Sequence, residues 1–231
     1  MDISRFILIY VIQLGVGGIF YFIMAYLILK RDTKRLNQIF SMFFISVAIG
    51  TVVNVIYAPI QIEIVVVTLN ILTYYFFCFG QVFLLVFSLI LLKSERVIDT
   101  KKQLSLIIAF AVLLSGFFII GIGFDGVSVN ENWKPVWDIP FVLYSVIVCA
   151  CFTIIPTIYY SLNIYKKFQD VQLKKKWKYY LFGTGIYYII WGGTTLSNFL
   201  NNPMVRTIWS LIALIAIIST YSIYYGVGKQ V

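Results

Sequence analysis

A chain of 231 residues that is 61% apolar and only 12% charged excludes an ordinary soluble domain, in which about a quarter of the residues carry charge. It has no histidine and three cysteines, so zinc and haem sites are not expected, and the expectation is that it carries no cofactor. The net charge of +9 takes its meaning from where the charges sit.

The apolar residues come in blocks rather than amphipathic stripes. Crossing the hydrocarbon core takes about 20 apolar residues, and seven blocks qualify, at 6–29, 39–60, 64–92, 104–124, 139–165, 179–200 and 207–227. None of them contains Asp, Glu, Lys, Arg or His. The expected fold is all-α: a single domain, 1–231, forming a seven-helix transmembrane bundle. The third and fifth blocks are long enough to tilt or to project beyond the bilayer. The first is too long for the core of a signal peptide and lacks a basic stretch before it, so it is expected to stay as the first helix.

Basic residues set the orientation. Lys30, Arg31, Lys34 and Arg35 follow the first block, and Lys93, Arg96, Lys101 and Lys102 follow the third. Lys166, Lys167, Lys174, Lys175, Lys176 and Lys178 follow the fifth, and Lys229 follows the seventh. One side thus holds 15 of the 18 basic residues, leaving Arg5, Lys134 and Arg206 on the other. Basic residues favour the cytoplasmic side, which places the N-terminus outside and the C-terminus in the cytoplasm. With no soluble domain to carry a basic surface, nucleic acid is not an expected partner; anionic lipid is.

In chain order, Gly15, Gly17 and Gly18 of the first helix permit close approach of a neighbour. The turn at Ala58-Pro59 makes the second and third helices antiparallel neighbours. The loop 125–138 carries Glu131, Trp133 and Trp137, whose indoles are expected at the bilayer interface or, alternatively, as a lid. Pro156 cannot donate to Phe152 and should kink the fifth helix, with Thr153 serving part of the freed backbone. Gly192-Gly193 forms a second soft point, so Pro156, Gly192 and Gly193 are candidate hinges. The run 166–178 is expected to extend the fifth and sixth helices as a basic hairpin. Its six lysines would reach lipid phosphates or dock an acidic cytoplasmic partner. Cys149 and Cys151 lie about 200° apart around a helix and cannot clamp one metal; with Cys78 they are read as packing residues.

Depth along each span, at about 1.5 Å per residue, gathers the neutral polar groups in the outer half: Gln13, Asn54, Asn70, Tyr144, Trp191, Asn198 and Trp209. Two stripes stand out. Asn70, Tyr74, Phe77, Gln81 and Ser88 share about 60° of the third helix, and Thr184, Tyr188, Trp191, Thr195 and Asn198 about 80° of the sixth. Such stripes face other helices or a cavity. They act either as interhelical glue or as the lining of an outward-facing pocket built from Gln13, Asn54, Asn70, Tyr74, Tyr144, Tyr188, Trp191 and Asn198. That pocket would suit a neutral or amphipathic small molecule or a lipid, since no counter-charge is at hand for a charged ligand.

Three stretches resemble the seven-helix N-terminal sensor region of prokaryotic membrane histidine kinases: YLILKRDTKRLNQIFSMF (26–43), YYSLNIYKKFQDVQLKKKWKYYLFGTGI (159–186) and IWSLIALIAIISTYSIYY (208–225). The resemblance implies a sensor. The kinase domains and the phospho-accepting histidine of that family are not in this sequence, so it implies a module that stands alone or acts through a separate partner. Abundant Ile, Tyr, Asn and Lys point to a prokaryotic cytoplasmic membrane.

The expected function is therefore a non-enzymatic sensor or receptor, signalling through the basic hairpin and able to pair with a second copy. The alternative is a transporter or channel for a neutral solute, disfavoured by the apolar run after Gln81. An intramembrane enzyme lacks a base and nucleophile pair within any span.

Overall fold

The structure, a computed structural model, describes residues 7–227, without the side chains of 7, 8, 11, 12, 16 and 17. Arg5, Phe6 and Lys229 lie outside the described residues, as does the packing of Gly17.

The protein is 84% helical, and the described residues form seven helices. Helix α1 runs as a widened π-helical segment over Ile7–Gly18 and continues as an α-helix over Ile19–Arg31. Helices α2 (Arg35–Tyr57) and α3 (Glu63–Lys93) follow. Helix α4 spans Thr100–Phe118 and widens at Ile119–Gly123. Strands β1 (Val127–Val129) and β2 (Pro135–Trp137) pair antiparallel, Val127 opposite Trp137. Helix α5 comprises Ile139–Cys149, a π-helical turn at Ala150–Ile154, and Ile155–Lys167. Helix α6 spans Val171–Leu200. Helix α7 runs over Pro203–Ile212, tightens into a 3-10 turn at Ala213–Ile215, and resumes over Ala216–Val227.

Six of the seven helices are long and apolar enough to cross a membrane; α6 is the exception. Its lysines, glycines, tyrosines and threonines dilute its apolar residues. Helix starts follow from local chemistry. Asp170 caps α6 by accepting from the amides of Gln172 (2.7 Å) and Leu173 (2.9 Å). Asn202 caps α7 by accepting from Met204 and Val205, with Pro203 in the first turn, where its missing N–H costs nothing. Helix α7 therefore begins four residues before the expected 207, and Arg206 belongs to it.

Helix α3 is central and packs on α2, α4, α5 and the hairpin. Every residue of Val82–Ile90 is buried. Helices α6 and α7 come closest near the lysine-rich end. A Cβ at Gly183 would lie 2.7 Å from the Ser219 carbonyl, and one at Gly226 would meet the Tyr180 backbone. Ser219 Oγ donates to the Gly183 carbonyl at 2.7 Å. In α1, Gly18 lies against Thr51 of α2, whereas among the described residues nothing from another helix lies within 4 Å of a Cβ placed at Gly15.

Pro156 is absorbed by the π-helical turn before it: the Ile155 N–H reaches back five residues to the Ala150 carbonyl. Contrary to the expectation from sequence, Thr153 does not serve the freed Phe152 carbonyl. Its Oγ1 lies 2.8 Å from both the Cys149 carbonyl and Gln81 Oε1. Helix α6 runs without interruption through Gly192-Gly193. Cys78 and Cys149 are buried, but Cys151 is exposed, so it is not a packing residue.

Candidate functional site

A cavity of about 750 Å³ opens among α1, α2, α3, α6, α7 and the β-hairpin. Helices α4 and α5 contribute no lining residue. It extends from the hairpin to Tyr21, Phe77, Tyr187 and, on α7, Thr220.

The upper wall is tied together by hydrogen bonds. Asn54 Nδ2 donates to Gln13 Oε1 at 2.6 Å, joining α2 to α1. Asn70 Nδ2 donates to the Tyr57 hydroxyl at 3.0 Å, and the Trp137 indole donates to Asn70 Oδ1 at 2.9 Å. Trp137 is only 2% exposed and sits edge-on to Tyr74 and Phe141, 4.5 and 5.1 Å between ring centres. It is thus a buried cover over the site and not an interfacial anchor. The hairpin is held from two more sides: Asn130 Nδ2 donates to Asn201 Oδ1 (3.0 Å) and Arg206 Nη2 donates to the Pro135 carbonyl (2.5 Å).

On α6, Trp191 donates to Cys78 Sγ at 3.3 Å and stacks on Tyr74. On α7, the Trp209 indole lies over Gly193, where any Cβ would collide with the ring, and donates to Thr194 Oγ1 at 3.2 Å. This indole acts as a wedge. It separates α6 and α7 at the hairpin end, while Gly183 and Gly226 close them at the other.

Of the residues that sequence places in the pocket, Gln13, Asn54, Asn70, Tyr74, Trp191 and Asn198 line the cavity. Tyr144 does not. It lies between α4 and α5 over Gly116, donating to the Leu113 carbonyl at 2.6 Å. It faces α4 rather than the cavity. Tyr188 does not line the cavity either; its neighbour Tyr187 does. The cavity face of α6 is Tyr187, Ile190, Trp191, Thr194, Ser197 and Asn198. Of the stripe expected from sequence, Trp191 and Asn198 lie on this face, whereas Thr184, Tyr188 and Thr195 do not, and Thr195 bonds Tyr74 of α3 at 2.8 Å. Below the cavity, Gln81 and Ser88 likewise bond α5 and α6 partners, Thr153, Ser161 and Tyr180. These residues act as interhelical glue.

The expectation that no counter-charge is at hand is corrected: Lys134 and Arg206 both line the cavity. Lys134 sits in the hairpin and Arg206 in the first turns of α7, so neither falls inside a span read from sequence. No Asp or Glu is among the described lining residues. Thr73 adds a polar group to the wall; it is buried, and its hydroxyl has no hydrogen-bond partner among the described residues.

At the opposite end, Lys174 and Lys178 stand over the Tyr165 ring, 5.0 and 5.9 Å from its centre. With Lys175, Tyr179 and Phe182 they line a shallow groove of about 580 Å³. Lys166 and Lys167 close α5 and are exposed, and Lys176 is half-buried. Trp177, between Lys176 and Lys178, is fully buried and donates to the Ser161 carbonyl at 2.8 Å.

No protein-family model matches the chain, and no curated protein matches it.

Proposed function

We propose that the protein is a non-enzymatic membrane sensor. Its cavity takes up an amphipathic small molecule or lipid from the outer side, and the lysine-bearing junction of α5 and α6 reports occupancy in the cytoplasm. In this reading all seven helices cross the membrane, α6 included, and the hairpin lies outside because the lysine-rich ends face in.

The cavity carries the reading. Its volume falls within the range of about 300–1,000 Å³ usual for small-molecule pockets, and its lining mixes amide, hydroxyl and indole groups with aromatic surface. It also ends blind. Phe43 sits edge-on to Tyr187 at the floor, and Phe43, Phe44, Phe40, Phe87 and Trp177 follow in ring contact, each 4.7–6.3 Å from the next. A closed inner half favours binding over permeation.

The same rings supply a route for the signal. They link the cavity floor to Trp177, inside the lysine cluster. A ligand shifts the balance only as far as it binds one arrangement better than the other, and packed side chains can carry that bias. The π-helical turn before Pro156 is the play in α5, and Gly192-Gly193 that in α6. The resemblance to histidine-kinase sensor regions supports the same role. The lysine groove would meet lipid phosphates, an acidic partner or a second copy of the chain.

One observation favours passage of a neutral solute instead: buried polar groups continue beyond the floor, from Gln81 and Thr153 to Ser88, Ser161 and Tyr180. Solute flux in liposomes would select that reading.

The test is native mass spectrometry of the purified protein, with and without added cell extract. A retained small molecule or lipid that Trp191→Ala loses supports the sensor; a protein that retains nothing, with or without extract, contradicts it.

A further inference from the structure

We infer that the ligand of this cavity is an amphiphile with an anionic head, a carboxylate or phosphate ester, held by Arg206 and Lys134 with its chain directed toward Phe77 and Tyr187. The inference rests on the binding role proposed above and names the chemistry of the ligand.

The two cations belong to one stretch of the cavity wall. Arg206 donates to the carbonyl of Pro135, and Lys134 is the residue before it. Both line the cavity. The acidic residues of the same loop, Asp125, Glu131 and Asp138, are exposed and outside the lining. Cations in a wall partly shielded from water set up a field that concentrates anions. A guanidinium adds paired donors matched to a carboxylate or phosphate.

A head alone does not fit this cavity. Below the cations the lining turns to Tyr21, Phe77, Tyr187, Leu214 and Ile217, which suit an apolar chain. Access is sideways as well. Leu211 lines the cavity yet is 60% exposed, and no residue of Pro203–Ile215 is buried. Helix α7 therefore leaves a flank through which a chain can slide from the surrounding lipid while its head stays at the hairpin.

The test uses the full chain in phosphatidylcholine nanodiscs and quenching of tryptophan fluorescence, since Trp137, Trp191 and Trp209 line the cavity. Three brominated probes share one twelve-carbon chain: the carboxylate, its methyl ester and a trimethylammonium. The carboxylate is expected to quench at about one-tenth the concentration of the ester or less, and the ammonium not at all. Arg206→Gln should abolish the preference for the acid over the ester, and Arg206→Lys should retain most of it. Lys134→Gln, in the half-exposed hairpin, reduces the preference even if the Arg206 variant fails to fold. Equal quenching by acid and ester overturns the anionic head while leaving the cavity a binding site. Full displacement of the acid by inorganic phosphate overturns the amphiphile in favour of a free anion. No quenching by any probe removes the binding role itself.

Discussion

Asn70 on α3 and Trp137 on β2 form the contact that holds the hairpin over the cavity. The indole donates to the amide oxygen at 2.9 Å while the amide nitrogen donates to Tyr57 at 3.0 Å. Trp137→Phe keeps most of the ring packing but leaves Asn70 Oδ1 without its donor, at a cost of about 1–3 kcal/mol. The expected outcome is a lower Tm together with faster hydrogen exchange in residues 127–137. Unchanged exchange there would mean that the other two anchors suffice.

The wedge at Gly193 separates two adjacent glycines. No described residue lies within 4 Å of a Cβ placed at Gly192, whereas one at Gly193 collides with the Trp209 ring. Gly192→Ala should be neutral or stabilising by up to about 1 kcal/mol, from helix propensity alone. Gly193→Ala should destabilise by about 1–3 kcal/mol through overpacking, and Trp209→Leu should relieve it. Thermal unfolding of the four proteins in one detergent decides.

Ligand contact divides the residues that sequence grouped together. Trp191→Ala should weaken ligand binding about tenfold or more, as expected for a half-buried aromatic side chain of the lining that the ligand covers. Tyr144→Phe and Tyr188→Phe should leave affinity within about twofold, because neither side chain lines the cavity. Titration with the brominated carboxylate reads all three.

The helical frame was legible because each span is free of charge, and the capping residues Asp170 and Asn202 are visible in the sequence. Depth was legible too: Gln13, Asn54, Asn70, Tyr74, Trp191 and Asn198 all reached the cavity from counting along the helices. Direction around a helix was not, since an error of one residue turns a side chain by about 100°; this is how Tyr188 stood in for Tyr187. Tyr144 shares the depth of the site but faces α4. The hairpin was hidden because its strands are three residues each and depend on packing against α3, α6 and α7. Arg206 read as a topology charge because α7 was started four residues too late; Asn202-Pro203, a cap followed by a first-turn proline, was the available signal.

Coupling between the two ends can be followed with 5-fluorotryptophan, which gives one resonance for each of the five tryptophans. Ligand should shift Trp137, Trp191 and Trp209 directly, and Trp177 through the aromatic contacts. Phe43→Leu should abolish the Trp177 shift and leave the other three. A Trp177 shift that survives this substitution would remove the aromatic route.

The α1–α2 turn carries a small acid sensitivity. Asp32 Oδ1 accepts from the Lys34 amide at 2.9 Å, which holds its carboxyl below the usual carboxylate range. A depressed folded value contributes stability above the unfolded pKa, near 3.9, and loses it as pH falls through the folded one. The Tm difference between the protein and Asp32→Asn should stay constant from about pH 7 to about pH 5 and vanish under stronger acid. A difference that persists at about pH 2 would contradict this.

Bromine anomalous diffraction from crystals grown with the brominated carboxylate tests the central claim most directly. The account predicts one bromine peak near Phe77, Tyr187 and Tyr21, with the carboxylate at Arg206 and Lys134. Bromine found only on the lipid-facing surface of the helices, with none inside the bundle, would contradict it.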